Sequence, residues 1–147
     1  MKTDLVVTGY IFYNNKVLLI HHNKLNLWLP VGGHIEKDEV PDDALTREIK
    51  EETSLDVEII SNNNIKQEGN MKKILANPFH VNVHSVGDHD HCSFFYVCKA
   101  LNTESMHINN ELKNYKWLTR EELLIDNSVP EDVKSIAIEA FNIMKFV

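Results

Sequence analysis

The chain has 147 residues, of which 15 are Lys or Arg and 22 are Asp or Glu, so its formal charge is −7 with histidine neutral. Hydrophobic residues make up 43% and charged residues 25%, which is typical of an ordinary globular domain. This composition excludes a disordered chain and a collagen. The negative charge argues against binding to a nucleic acid polymer, because phosphate contacts need a basic face. We expect residues 1–147 to form a single domain.

The two cysteines, Cys92 and Cys98, are fewer than a secreted scaffold of this size usually carries, which predicts a reducing, cytoplasmic location. The N-terminal segment mixes Thr3, Asp4 and Gly9 with apolar residues, so we expect a strand there and not a signal peptide. No stretch approaches the roughly 20 apolar residues of a spanning helix, so no contact with a membrane is expected.

The order of apolar and polar segments predicts one mixed α/β domain. Runs rich in Val, Ile, Tyr and Leu predict strands, which are residues 5–13, 16–22, 55–60, 79–86, 93–100 and 115–118. Asn14-Asn15 predicts a hairpin turn, because asparagine tolerates a positive φ. Residues 31–33, Val-Gly-Gly, are expected to form a flexible corner. Residues 61–77 are expected to form a long polar loop that includes a short ordered piece.

Three segments carry the signals of helices. Residues 41–53 begin with Pro41 and two aspartates, which suit the first turn of a helix. Thr119 with Glu122 forms a capping-box pattern, which predicts a short helix after the last strand. Residues 130–146 have the periodicity of a final amphipathic helix.

The predicted helix 41–53 carries the strongest chemical signal in the chain. Glu48, Glu51 and Glu52 stand at i, i+3 and i+4, which brings their Cβ atoms to within about 5–6 Å of one another on one side of the helix. Three like charges so close destabilise an isolated helix, so a binding function is a good reason to keep them. Oxygen ligands on one face are what Mg²⁺ or Mn²⁺ accepts, with water and substrate phosphate completing the shell.

Arg47 in the same helix and two glycines before it add to this chemical signal. Arg47 is placed to hold Glu39 or Glu48 through a bidentate contact. Gly32 and Gly33 allow backbone conformations barred to other residues, so the chain can pass close to a metal or a phosphate there.

The segment from Gly32 to Leu55 resembles the Nudix box of the Nudix (MutT-like) hydrolases. The residues at the spacing of that family are Gly33, Glu39, Arg47-Glu48, Ile49, Glu51-Glu52 and Leu55. The family has glycine where this chain has Ser54, and a glycine there suits the left-handed turn that ends the helix. Serine costs ~1 kcal/mol in that conformation, unless the turn differs. The resemblance covers nearly the whole chain, strongly in the box and loosely elsewhere.

The resemblance implies a Nudix fold, an α/β/α sandwich around a mixed sheet. It also implies hydrolysis of a phosphoanhydride bond in a nucleoside diphosphate linked to another group, with Mg²⁺ or Mn²⁺ held by Glu48, Glu51, Glu52 and the carbonyl of Gly33. In the family the general base lies either in the box or on a later loop, where Glu111 is the candidate. Members are often homodimers.

Several alternatives stay open at this point. The substrate is either a (d)NTP or an ADP-ribose or nucleotide-sugar compound, and a Nudix-fold module that binds a nucleotide without cleaving it is a further hypothesis. Lys24 and His34 either contact the substrate, as Gly32 and Gly33 are expected to do, or are only polar loop residues. The run 88–92 contains zinc-ligand residue types but lacks a second pair at ligand spacing, so we interpret it as a polar turn that enters a strand.

Overall fold

The structure, a computed structural model, describes all residues from 1 to 147. Its strands are β1 (Thr3–Tyr13), β2 (Lys16–His22), β3 (Trp28–Leu29), β4 (Val31–His34), β5 (Val57–Ile60), β6 (His80–Ser85), β7 (Asp90–Ala100) and β8 (Leu112–Leu118). Its helices are α1 (Pro41–Thr53), α2 (Arg120–Ile125) and α3 (Glu131–Met144). None of these helices has the length and apolar character that a membrane crossing requires.

All the strands belong to one mixed eight-stranded sheet with the central order β3-β2-β1-β7-β5, in which β4 pairs with β1, β6 with β7 and β8 with β2. The long strands β1 and β7 run parallel, and the other pairings are antiparallel. The predicted hairpin between β1 and β2 is confirmed, since Asn14 and Asn15 have φ values of 51° and 63°. A positive φ at both central residues gives a turn whose twist matches the flanking strands.

Two layers of helix cover the sheet, so the predicted α/β/α sandwich is confirmed. On one face, Val7 of β1 packs in a core cluster with Leu45 and Ile49 of α1. On the other face, Tyr10 of β1 packs in a second cluster with Val133 of α3, and its hydroxyl donates to the Val133 carbonyl at 3.1 Å. Successive residues of β1 therefore serve opposite cores, as the alternation of a strand requires.

The predicted flexible corner at residues 31–33 is wrong, because these residues form strand β4. Gly32 pairs with Thr8 and Gly33 with Val7, and neither glycine has a φ in the left-handed region. A Cβ on Gly32 would lie 2.3 Å from the carbonyl oxygen of Val7. Glycine is present here because the backbone of β1 leaves no room for a side chain, and not because the chain needs an unusual turn.

Strands β7 and β8 each begin three residues earlier than predicted, at Asp90 and Leu112. The added residues are mostly polar, but their backbone pairs with β1, β2 and β6, and these ladders extend the strands beyond the apolar run. Residues 61–77 form a long loop, as expected, but the short ordered piece predicted within it is only a turn at residues 69–70, with no helix or strand.

Candidate active site

The orientation of α1 sets where its carboxylates point. Leu45 and Ile49 are fully buried, and they approach Gly9 of β1 so closely that a Cβ there would lie 3.2 Å and 3.3 Å from their Cδ1 atoms. This docking turns Glu52, which is 4% exposed, into the protein. The Glu51 side chain stays 57% exposed on the outer side of the helix.

The carboxylate of Glu48 lies directly against Gly33 of β4. A Cβ on Gly33 would be 2.3 Å from Cδ of Glu48 and 2.5 Å and 2.6 Å from its two oxygens. The absence of a side chain at residue 33 therefore creates the space that the Glu48 carboxylate occupies. The sequence predicted that a permissive backbone conformation at Gly33 brings the chain close to a metal or a phosphate; the φ of Gly33 is not in the left-handed region, and what the structure shows is space for the Glu48 carboxylate created by the missing Cβ.

Arg47 forms hydrogen bonds with three carboxylates of this region. Its guanidinium donates to both oxygens of Glu39, at 2.8 Å and 2.9 Å, and also to Glu48 at 2.9 Å and Glu51 at 3.3 Å. A further bond of 3.0 Å reaches the carbonyl oxygen of His34. The hydrogen bonds from Arg47 hold the pKa of Glu39 at about 2. The sequence left open whether Arg47 holds Glu39 or Glu48, and the structure shows contacts with both.

Burial makes two of these carboxylates, those of Glu48 and Glu52, costly to ionise, and we call them the inner carboxylates. Burial, with the nearby charges of Glu48 and Glu111, raises the pKa of Glu52 to about 8, and the backbone of Gly32 offsets part of this rise. Burial also raises the pKa of Glu48, against the opposing contact with Arg47. The Oε2 atom of Glu52 is buried without a hydrogen-bond partner. Such a group gains more from a bound cation than an exposed carboxylate does, because water no longer solvates it.

The loop before β8 brings Glu111 to the same cluster. This loop runs beside the C-terminal end of α1. The N–H groups of His107 and Asn109 donate to the carbonyls of Thr53 and Glu52 there, at 2.9 Å and 3.0 Å. Glu111 is exposed, and its charge contributes to the raised pKa of the two inner glutamates.

Lys24 and His34 lie differently with respect to this cluster. Asn23 donates its backbone N–H to the carbonyl of Glu111 at 3.0 Å, so the exposed Lys24 lies on the neighbouring turn at the rim. The His34 side chain is not brought to the carboxylates. It follows Gly33 in β4 and so points to the opposite face of the sheet, where its Nε2 is 3.3 Å from Asp4 Oδ2.

Helix α1 ends at Thr53 and is followed by Ser54, the position at which the Nudix box that the sequence resembles has glycine. Ser54 has a φ of 63° and a ψ of 9°, so it adopts the left-handed conformation that a glycine would favour. Its N–H donates to the Lys50 carbonyl, and its hydroxyl donates to the carbonyl of His107 at 3.3 Å. The turn keeps the geometry expected for glycine, and the side chain of Ser54 supplies a contact to the loop that carries Glu111.

One group of side chains on the opposite face was not predicted from the sequence: a carboxylate oxygen of Asp4 and ring nitrogens of His34 and His91 lie within 4.8 Å of one another. Asp4 and His91 are 87 residues apart and meet because β1 and β7 pair in parallel. A local spacing rule cannot find such a pair, because the contact depends on the register of two distant strands.

Comparison with known proteins gives the class to which this fold and site belong. The family model of the NUDIX domain matches residues 3–137 of this chain. A NUDIX-family hydrolase from Clostridium perfringens is 31% identical, with 98% of this chain and 99% of that chain covered and a TM-score of 0.84. The chain therefore belongs to the Nudix family and is a Nudix hydrolase.

Two other structures share the fold at lower identity. A MutT protein from Methanosarcina mazei Go1 is 15% identical, with 97% of this chain and 95% of that chain covered and a TM-score of 0.73. A UDP-X diphosphatase is 16% identical, with 97% of this chain and 64% of that chain covered and a TM-score of 0.70.

Proposed function

We propose that this Nudix hydrolase cleaves the phosphoanhydride bond of a nucleoside diphosphate linked to another moiety, such as a (d)NTP, and that it depends on Mg²⁺ or Mn²⁺. The observation that carries the proposal is the inner pair of carboxylates: Glu48 packed against Gly33, and Glu52 buried with an unpartnered oxygen. A hydrolase of charged phosphates needs such a concentration of oxygen ligands to hold a hard cation.

The residues fit such a cation. Glu48, Glu51 and Glu52 would hold it, together with the backbone carbonyl of Gly33. Carboxylate and carbonyl oxygens are the donors that Mg²⁺ and Mn²⁺ prefer, and the raised pKa values of Glu48 and Glu52 agree with a site that binds a cation in place of protons. When bound, the cation neutralises the charge of the pyrophosphate and makes water a better nucleophile.

The remaining residues position these groups and accept a proton. Arg47 holds Glu48 and Glu51 in place through hydrogen bonds, and the bidentate contact with Glu39 fixes the orientation of the Arg47 guanidinium. Glu111 is exposed beside the cluster, so its carboxylate oxygens can receive the proton of the attacking water. We therefore propose Glu111 as the general base and Arg47 as the residue that positions the ligands.

The residues that we propose to contact the substrate are chosen from where they lie relative to the carboxylates. Gly32 and Gly33 form the floor beside the carboxylates, and Lys24 on the rim would meet phosphate charge. The formal charge of −7 favours a small nucleotide over a nucleic acid polymer. We further propose that residues 1–147 form one domain that works in the cytoplasm, where Cys92 and Cys98 stay unpaired.

A hydrolysis screen tests the proposal. The panel holds (d)NTPs, ADP-ribose, nucleotide sugars and dinucleoside polyphosphates, with Mg²⁺ or Mn²⁺, and mass spectrometry identifies the products. We expect cleavage of a (d)NTP that chelation by EDTA abolishes and that Glu51→Gln reduces strongly, while circular dichroism shows an unchanged fold. Glu139→Gln, an exposed change on α3, is the matched control.

Each other outcome is informative. Cleavage of only ADP-ribose or a nucleotide sugar would overturn the (d)NTP assignment. Absence of all cleavage, with a nucleotide-induced rise in melting temperature, would show a binding module instead of an enzyme of this specificity. Gel filtration with light scattering on the same samples tests whether the protein is a homodimer.

A further inference from the structure

A second cluster of potential metal ligands lies on the face of the sheet opposite α1. It consists of Asp4 on β1, His34 at the end of β4 and His91 on β7, with His84 and His89 beside them. The ring centroids of His34, His84 and His89 lie 5.2 Å, 5.4 Å and 5.1 Å from that of His91. These four imidazoles are half of the 8 histidines in the chain, and those of His34 and His89 contact the Asp4 carboxylate directly.

The strand register builds this cluster. Asp4 is the direct partner of His91 in the parallel pair β1 and β7, and His84 is the direct partner of His91 in the antiparallel pair β6 and β7. His34 pairs with Val6, which lies on the same face of β1 as Asp4. Directly paired side chains share a face and approach closely, so the ladder itself holds the donors together.

The polar atoms of this cluster are incompletely satisfied. The Nε2 atom of His91 is buried without a hydrogen-bond partner. His89 places Nδ1 2.7 Å from Asp88 Oδ1 and Nε2 3.4 Å from Asp4 Oδ2, so both of its ring nitrogens face carboxylate oxygens. A neutral imidazole has one ring proton, so one nitrogen lone pair then opposes an oxygen lone pair. Either a second ring proton or a bound cation relieves this repulsion.

We propose that Asp4, His34 and His91 bind one transition-metal cation of the Zn²⁺ type, at a site separate from the carboxylate cluster of α1. A tetrahedral ion with Zn–N bonds near 2.0–2.1 Å sets its ligand atoms about 3.3–3.4 Å apart. The 3.3 Å between His34 Nε2 and Asp4 Oδ2 already has this spacing. Three protein ligands leave the fourth position for water or for His89, whose Nε2 faces the same oxygen of Asp4.

The donor types separate this site from the Mg²⁺ site. Imidazole nitrogen suits Zn²⁺, Ni²⁺ and Cu²⁺, whereas Mg²⁺ prefers a shell of oxygens. Asp88 next to His89 has the arrangement of a carboxylate that orients a ligating histidine from outside.

Cobalt titration of tag-free, chelator-stripped protein tests the proposal. Excess Mg²⁺ occupies the carboxylate cluster, and the visible absorption of Co²⁺ reports four-coordinate binding, which Zn²⁺ should then displace. We expect one equivalent of Co²⁺ with intense absorption, and at least about a tenfold weaker affinity in His34→Gln and His91→Gln. The His34 side chain is 58% exposed, so His34→Gln should fold normally even if the His91 variant does not.

Two controls separate this site from the proposed active site. Glu51→Gln changes only the carboxylate cluster, and His107→Gln removes an exposed histidine outside both sites. Both should bind Co²⁺ as the unchanged protein does, and Zn²⁺ should raise their melting temperature equally. Weak absorption typical of six-coordinate Co²⁺, loss of binding in Glu51→Gln, or unchanged binding in both cluster variants would each overturn the proposal, whatever the outcome of the hydrolysis screen.

Discussion

Replacing Glu52 by glutamine removes a carboxylate that is 4% exposed and surrounded by other acidic groups. The substitution keeps the shape of the side chain and the backbone bond from Asn109 to the Glu52 carbonyl. Because glutamine does not titrate, the variant should lose the dependence of stability on pH that Glu52 causes. We therefore expect the two proteins to diverge as pH rises in the absence of divalent cations.

The size of this effect follows from the raised pKa. Glu52 has a pKa of about 8 in the folded protein, against the ordinary glutamate value of 4.5. Between these values the folded state binds more protons than the unfolded state, so the free energy of unfolding falls as pH rises. This loss of stability is absent below pH 4.5 and complete above pH 8. From pH 4.5 to pH 7 the protein loses about 3 kcal/mol that Glu52→Gln retains.

Urea denaturation in EDTA, followed by circular dichroism at several pH values from 4.5 to 8, measures this difference. The useful quantity is the change with pH in the difference between variant and unchanged protein, because the constant effect of the new amide cancels. Glu139→Gln is the control, since Glu139 is exposed on α3 and has no ion-pair partner. Its difference from the unchanged protein should stay nearly constant with pH.

A difference between Glu52→Gln and the unchanged protein that is the same at pH 4.5 and pH 7 would refute the argument that burial holds this carboxyl protonated. Addition of Mg²⁺ gives a second measurement. At pH 7.5 the cation should stabilise the unchanged protein more than the variant, because only the former offers a carboxylate at residue 52.

The remaining predictions concern the box and its ends. Gly33→Ala should displace the Glu48 carboxylate and lower kcat/KM by about 100-fold with the fold intact, since the clash is with a side chain. Gly32→Ala clashes with the backbone of β1 and should instead lower the melting temperature, so equal effects of the two variants on activity and stability would contradict this distinction. Arg47→Lys removes the bidentate contact with Glu39 and should reduce hydrolysis by about 10–100-fold, and full activity would show that the guanidinium fork is dispensable. At the left-handed Ser54, glycine should give a protein about 1 kcal/mol more stable than alanine by urea denaturation; equal stabilities would show that φ is not under strain there.

The sequence predicted helix α1 correctly because its signals are local. Spacing alone places Glu48, Glu51 and Glu52 on one side of a helix, and α1 begins and ends at the predicted residues. The polar ends of β7 and β8 escaped prediction because their backbone pairs with strands that are distant in sequence. The glycines of β4 resembled a corner for the same reason, since their partners Thr8 and Val7 in β1 lie 24 and 26 residues earlier. The groups that exclude a side chain are also distant in sequence: the β1 backbone at Gly32 and the Glu48 carboxylate at Gly33.

The sequence by itself determined the order of the main elements, the family resemblance and the set of carboxylates, because helix periodicity, turn residues and motif spacing act over short distances. Only the tertiary structure decided which carboxylate is buried, how close Glu48 comes to Gly33, and that Asp4 meets His34 and His91. Those facts depend on the docking of α1 and on the register between β1, β4 and β7. Burial and register arise only when distant segments pack, so the pKa of Glu52 and the histidine cluster could not be derived from spacing along the chain.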